Sequence, residues 1–227
     1  MTTSSPSLRV LIVDDHALIA QGVKVALEAE GIGAEICTGP TIGDVLLAAG
    51  SLQPHVVLLD LQLGGSLGSG LDLIQPLGHN GARVVILSGL TDRPTLATCL
   101  EAGAYGLAGK NEPFEALVAK VVAAAEGRPL LSEQERYALL DELRGWRADE
   151  RERLAPFASL TPRESDVLAD LMRGRQAEAI AETHYVSLAT IRSQIRSILQ
   201  KLGVSSQLAA VAMAREADWS PDAPAAV

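Results

Sequence analysis

Over the first 127 residues, short apolar runs alternate with longer amphipathic stretches. The runs at 8–13, 34–37, 55–59, 83–88 and 104–109 are rich in Val, Ile, Leu and Ala and show little polar alternation. Such runs read as strands covered on both faces. The intervening segments 17–30, 41–50, 71–78, 93–102 and 113–126 read as helices. Asp92 ahead of Pro94 suits a helix start, Pro113 opens another, and Gly31, Gly103 and Gly127 sit where helix ends need a left-handed residue. Five βα units predict an α/β domain with a five-stranded parallel, doubly wound sheet in the order 2-1-3-4-5.

The pattern changes after residue 127. Residues 128–159 are expected to form a helical linker, opened by Ser132 with Glu135 completing a capping box. Tyr137, Leu140, Leu143 and Trp146 or Arg147 fall at helical spacing, and from Arg147 to Arg153 the stretch is charged all round. A stripe this short predicts a helix docked on a neighbouring domain rather than a coiled coil, with a dimerising role left open. Residues 160–227 read as an all-α, four-helix domain.

Composition sharpens this picture. With 48% hydrophobic but only 3% aromatic residues, the cores must be aliphatic. Residues 1–7 lack the apolar stretch of a signal peptide and no run is long enough to span a bilayer, so a cytoplasmic protein without membrane contact is expected. Cys37 and Cys99 have no metal-ligand spacing and read as two buried, reduced thiols. The net charge of -9 would argue against a DNA binder, but its distribution matters. Residues 1–127 carry 6 Lys/Arg against 13 Asp/Glu, whereas 160–227 carry 7 against 8. Between Ser187 and Val204 there is no acidic residue, so Arg192, Arg196 and Lys201 form a local basic stripe. Affinity for nucleic acid should be modest and salt-sensitive.

The chemistry lies at the ends of the apolar runs. The first ends in Asp14-Asp15, the third in Asp60, the fourth in Ser88-Gly89 and the fifth in Lys110. In open parallel sheets the site lies outside the carboxyl ends of the strands, which places these groups in one crevice. Clustered carboxylates repel unless a cation neutralises them, and hard oxygen ligands suit Mg²⁺. A lysine and a hydroxyl added to them can hold a phosphoryl group on a carboxylate. On these residues the segment resembles the receiver domain of bacterial two-component response regulators, a flavodoxin-like fold. The resemblance implies that Asp60 is the phosphoacceptor. Asp14, Asp15, Asp60 and the backbone carbonyl of Gln62 would hold Mg²⁺, and Ser88 and Lys110 would contact the phosphoryl oxygens. Gly89 would leave space for the phosphodonor.

Two positions depart from the receiver pattern. The loop after Asp60 carries Gly64, Gly65, Gly68 and Gly70, with Gly64 where receivers usually have proline. Glycine keeps more conformational freedom, so a loosened loop is expected. The aromatic switch position three residues before the lysine holds Leu107, leaving Tyr105 as the switch candidate on what alternation makes the same sheet face. Both departures predict a phosphorylation switch weaker than usual.

The second domain carries its own signature. Thr161-Pro162-Arg163-Glu164 is a helix start, Gly174 a stop, and Ser187 caps a helix that Gly203 ends. With Val167-Leu168, Ile180-Ala181, Val186-Ser187, Thr190-Ile191-Arg192 and Lys201-Leu202-Gly203-Val204, residues 160–215 resemble the LuxR-type helix-turn-helix of the NarL/FixJ response regulators. By that resemblance Arg192, Ser193 and Arg196 face base edges or phosphates, Lys201 lies near the DNA backbone, and Ile191, Ile195 and Ile198 are core. Glu178 and Glu182 would oppose phosphate contact if they faced DNA. His184 reads as structural, and His16 as a crevice-edge residue without catalytic duty.

The resulting expectation is a transcription regulator, not an enzyme. A sensor histidine kinase would phosphorylate Asp60, and the active homodimer would bind double-stranded promoter DNA, with RNA polymerase as a further partner. One alternative is a phosphorylation-independent regulator with an inert receiver. An aspartate-nucleophile phosphatase is another, but it wants an acid two residues after the nucleophile, where this chain has Gln62.

Overall fold

A computed structural model describes residues 8–64, 68–89 and 92–221. The chain divides into two units, Met1–Arg144 and Gly145–Val227. In the first unit, β1 (Arg9–Val13), β2 (Gly33–Ile36), β3 (Val56–Leu59), β4 (Arg83–Ser88) and β5 (Gly106–Gly109) pair in parallel in the order β2-β1-β3-β4-β5. Between and after them run α1 (Ala17–Ala29), α2 (Ile42–Leu52), α3 (Leu71–His79), α4 (Arg93–Glu101), α5 (Phe114–Ala125) and α6 (Glu133–Leu154).

Successive strand residues feed opposite cores. Leu11, Val13, Val57, Leu59, Val84 and Ile86 pack with α2 and α3, while Val10, Ile12, Val56, Leu58, Val85 and Leu87 pack with α1 and α5. The strands lack alternation because both faces are covered. Local stops follow the sequence: Asp92 accepts from Thr95 N, and Gly31, Gly103 and Gly127 all take positive φ. Cys99 is buried, and burial, with Asp92 adding to it, pushes its thiol up to about 11. Cys37, expected to be buried, is only half-buried because β2 is an edge strand.

The linker helix α6 is docked through Leu143, which belongs to the expected stripe, and through Leu139, which does not. Leu139 and Leu143 are buried, whereas Tyr137 is 71% exposed. Arg136 donates to the carbonyls of Leu100 (3.1 Å), in the last turn of α4, and Ala104 (3.5 Å), just past it, and Arg93 forms a two-pronged pair with Glu142 at 2.7 and 2.8 Å. Leu130, ahead of α6, fills a notch that only Gly106 can leave, since a Cβ there would lie 2.6 Å from the leucine side chain.

In the second unit a 3₁₀ turn (Ala155–Ser159) precedes α7 (Pro162–Met172), α8 (Ala177–Thr183), α9 (Leu188–Leu202) and α10 (Gln207–Glu216). Their core joins Phe157, Val167, Leu168, Ile180, Ile191, Ile195, Ile198, Leu202 and Ala210, with the Phe157 and Trp219 rings stacked at 5.4 Å. Thr161 and Glu164 form a full capping box, Ser187 and Ser206 cap α9 and α10, and Gly203 ends α9 at φ 69°. Among the described residues no helix is long and apolar enough to cross a membrane.

Candidate functional site

The sheet ladder continues one residue past the strand ends and thereby sets the crevice. Asp60 N–H donates to Val13 O at 2.8 Å, and Lys110 N–H to Ser88 O at 3.0 Å. These bonds hold Asp60 beside Asp14 and Lys110 beside Ser88. Asp14, Asp60 and Ser88 are buried, at 8%, 2% and 6% exposure. The Lys110 ammonium lies 2.6 Å from Asp60 Oδ2 and 2.8 Å from Asp14 Oδ2, joining the two carboxylates. Its pKa is raised: burial works to lower it, but the two carboxylates outweigh that cost. Asp14 Oδ2 has this close cation but no well-directed hydrogen bond, so a buried carboxylate oxygen retains unused acceptor capacity.

One side-chain atom from each of Asp14, Asp15, His16 and Asp60 lies within 4.8 Å of the others. Three carboxylates with a spare buried oxygen form a donor set that fits a hard divalent cation. His16 joins the cluster from its exposed edge: its Nδ1 is 2.8 Å from Asp15 Oδ1, 3.2 Å from Asp14 Oδ1 and 3.7 Å from Asp60 Oδ2. Its backbone N–H also donates to Asp14 Oδ1 at 2.8 Å. The only sequence signal was its place directly after the acidic pair.

The loop after Asp60 is held at both described ends. Gly64 N–H donates to Asp15 Oδ2 at 2.9 Å, a bond that proline could not make. At Gly70 a Cβ would sit 2.1 Å from the Asp60 carbonyl oxygen, so glycine there permits close approach. Gln62 N–H donates to Asp60 Oδ1 at 3.2 Å, and Gln62 bridges to Ser69. Gly64 and Gly70 thus have defined roles in backbone contacts, Gly68 takes φ 65° in open space, and Gly65 lies outside the described residues. A cavity of about 500 Å³ opens beside Ser88, Gly89 and Lys110, and another of about 400 Å³ beside Asp14, Asp15 and Gly64.

Tyr105 does not share a sheet face with Leu107. It precedes β5, where strand alternation does not yet apply, and packs in the α1–α5 core with Arg83 over its ring at 5.6 Å. Leu107 packs in the opposite core.

In the second unit, Arg192, Ser193 and Arg196 are exposed along one edge of α9, opposite buried Ile191, Ile195 and Ile198. Lys201 pairs with the start of α7: its ammonium lies 2.6 Å from Glu164 Oε2, and Ser197 donates to Glu164 Oε1 at 2.6 Å. The turn between α8 and α9 is fixed by buried Asp170, which meets His184 Nε2 at 2.8 Å, Arg173 at 3.1 Å and Arg175 at 3.2 Å. Burial raises the Asp170 pKa, but these partners lower it overall. His184 is thus a structural residue. Glu178, on α8, lies 3.4 Å from Arg192.

Residues 10–122 match the family described as response regulator receiver domain, and residues 158–214 match bacterial regulatory proteins, luxR family. The nitrate/nitrite response regulator protein NarP of Escherichia coli is 34% identical over 206 residues, covering 89% of this chain and 92% of the relative. The chain belongs to the NarL/FixJ family of response regulators. LiaR of Bacillus subtilis, a transcriptional regulatory protein, is a more distant relative, 27% identical across 91% of this chain and 96% of its own. A solved structure of Salmonella typhimurium RcsB is similar in fold, with a TM-score of 0.50 at 24% identity, covering 92% of this chain and 98% of RcsB. As a NarL/FixJ member the chain is a two-component response regulator that joins a receiver to a LuxR-type DNA-binding domain and acts in transcription regulation.

Proposed function

We propose that this regulator is switched by phosphorylation of Asp60 and then binds promoter DNA as a homodimer. The functional division is a receiver over 1–127, a linker over 128–159 and a DNA-binding domain over 160–227. A phosphohistidine of a sensor histidine kinase is the donor. An Asp60 carboxylate oxygen bonds to phosphorus as the P–N bond breaks, and the imidazole leaves with the bond's electron pair and takes up a proton. Lys110 offsets the negative charge that accumulates on the phosphoryl oxygens, and the Ser88 hydroxyl would donate to one of them. Asp14, Asp15, Asp60 and the Gln62 carbonyl would hold Mg²⁺, which when bound supplies further charge neutralisation.

The observation that carries this reading is the single ammonium shared by two buried carboxylates at the strand ends, 2.6 and 2.8 Å away. Lys110 is already aimed at the atom that would be phosphorylated. DNA is met by Arg192, Ser193 and Arg196, with Lys201 near its backbone. Two such readers related by a two-fold axis are needed because one small helix buries too little surface for tight, specific binding.

Acetyl phosphate with Mg²⁺ should add one phosphoryl group to the chain, read by intact mass. Asp60→Asn should abolish it. Labelling that persists in Asp60→Asn, or that needs no divalent cation, would overturn the assignment.

A further inference from the structure

The edge of α9 that carries Arg192 and Arg196 has one feature at odds with simple attraction to phosphate. Glu178, in the first turn of α8, places Oε1 3.4 Å from an Arg192 terminal nitrogen, and both side chains are solvent-exposed. Glu182 lies one turn further along the same helix. An exposed pair of this kind adds little to folding stability, so stability does not account for it. Near DNA, a carboxylate on this edge costs backbone attraction, in a chain whose net charge is already -9.

The pair does have a chemical use. A guanidinium carries five N–H donors on a long, rotatable stem, and Glu178 engages one end of it. The remaining donors keep the fork that matches O6 and N7 of guanine in the major groove. We propose that Glu178 is a specificity-determining residue that buttresses Arg192. It holds the fork in one orientation and repels phosphate, so that Arg192 is presented to a guanine edge rather than to the DNA backbone. The inference rests on the reading of α9 as the recognition helix.

The test uses the full chain, phosphorylated with acetyl phosphate, to select duplexes from a randomised DNA library. Wild type, Glu178→Gln and Arg192→Ala are then compared on the enriched duplex and on a scrambled duplex of equal composition at fixed salt. The Glu178→Gln variant should bind the scrambled duplex about fivefold more tightly near 0.15 M salt, the effect of one charge. It should also lose about tenfold in preference for one guanine position, the same position that Arg192→Ala loses. This opposite movement separates a buttress from a structural role, in which both affinities would fall together. If Arg192→Ala is impaired but Glu178→Gln selects the same guanine with undiminished preference, the buttress is overturned and the recognition helix stands. If Arg192→Ala selects and binds like wild type, both fall.

Discussion

Glu164 shows how much one side chain can hold. Its carboxylate accepts from Thr161 N–H at 2.7 Å and Thr161 Oγ1 at 2.9 Å, from Ser197 at 2.6 Å and from Lys201 at 2.6 Å. Burial alone would raise its pKa, but these donors bring it down to about 2 from an ordinary 4.5. The folded protein therefore keeps the charge more readily than the unfolded chain does. The resulting stabilisation is complete above about pH 4.5 and is lost as the pH falls toward 2. Glu164→Gln should cost about 2 kcal/mol at pH 7. It should also flatten the acid dependence of the second unit's unfolding, followed by the fluorescence of Trp146 and Trp219, both in that unit. An unchanged acid limb would remove Glu164 as its source. The Thr161–Glu164 box is legible in the sequence because capping acts over three residues. Lys201, which joins it from 37 residues away, is not. The same contact gives Lys201 a partner at the start of α7.

Elements were legible where both their signals were local. The five strands and the first five helices fall within about two residues of the apolar pattern at most ends, because strand hydrophobicity and the capping of α4 by Asp92 act nearby. The docked face of α6 was legible only in part, at Leu143. An apolar stripe drawn through Tyr137 misses that Arg136 turns inward to bond the carbonyls of Leu100 and Ala104, a use of charge that hydropathy cannot register. The two registers agree at Leu143 and differ at Leu139 and Tyr137. Leu139→Ala and Leu143→Ala should each destabilise the first unit by about 2–3 kcal/mol through lost burial. Tyr137→Ala should stay within about 0.5 kcal/mol of wild type. Denaturant unfolding and tryptic cleavage within α6 would check this; a costly Tyr137→Ala would restore the face read from the sequence. The strand-end crevice was legible as residues, but the Gly64 N–H on Asp15 was not, since backbone donors leave no mark in residue type.

At the scale of the molecule, the compact first unit is longer than its family match. The receiver match ends at residue 122, yet the unit runs to Arg144. Leu130 in the Gly106 notch, Arg136 at the end of α4, and Leu139 and Leu143 all lie beyond residue 127. A fragment spanning 1–144 should melt higher than one spanning 1–127, by roughly 2–4 °C for each kcal/mol these contacts contribute. Equal melting temperatures would show that the segment adds nothing. The notch also constrains how such regulators can be recombined. A hybrid joined after residue 127 would inherit a hollow shaped for a leucine that its new neighbour need not supply. One joined after residue 144 would carry its own plug. For this chain, the seam along which an output domain can be exchanged lies inside a helix rather than in the loop before it.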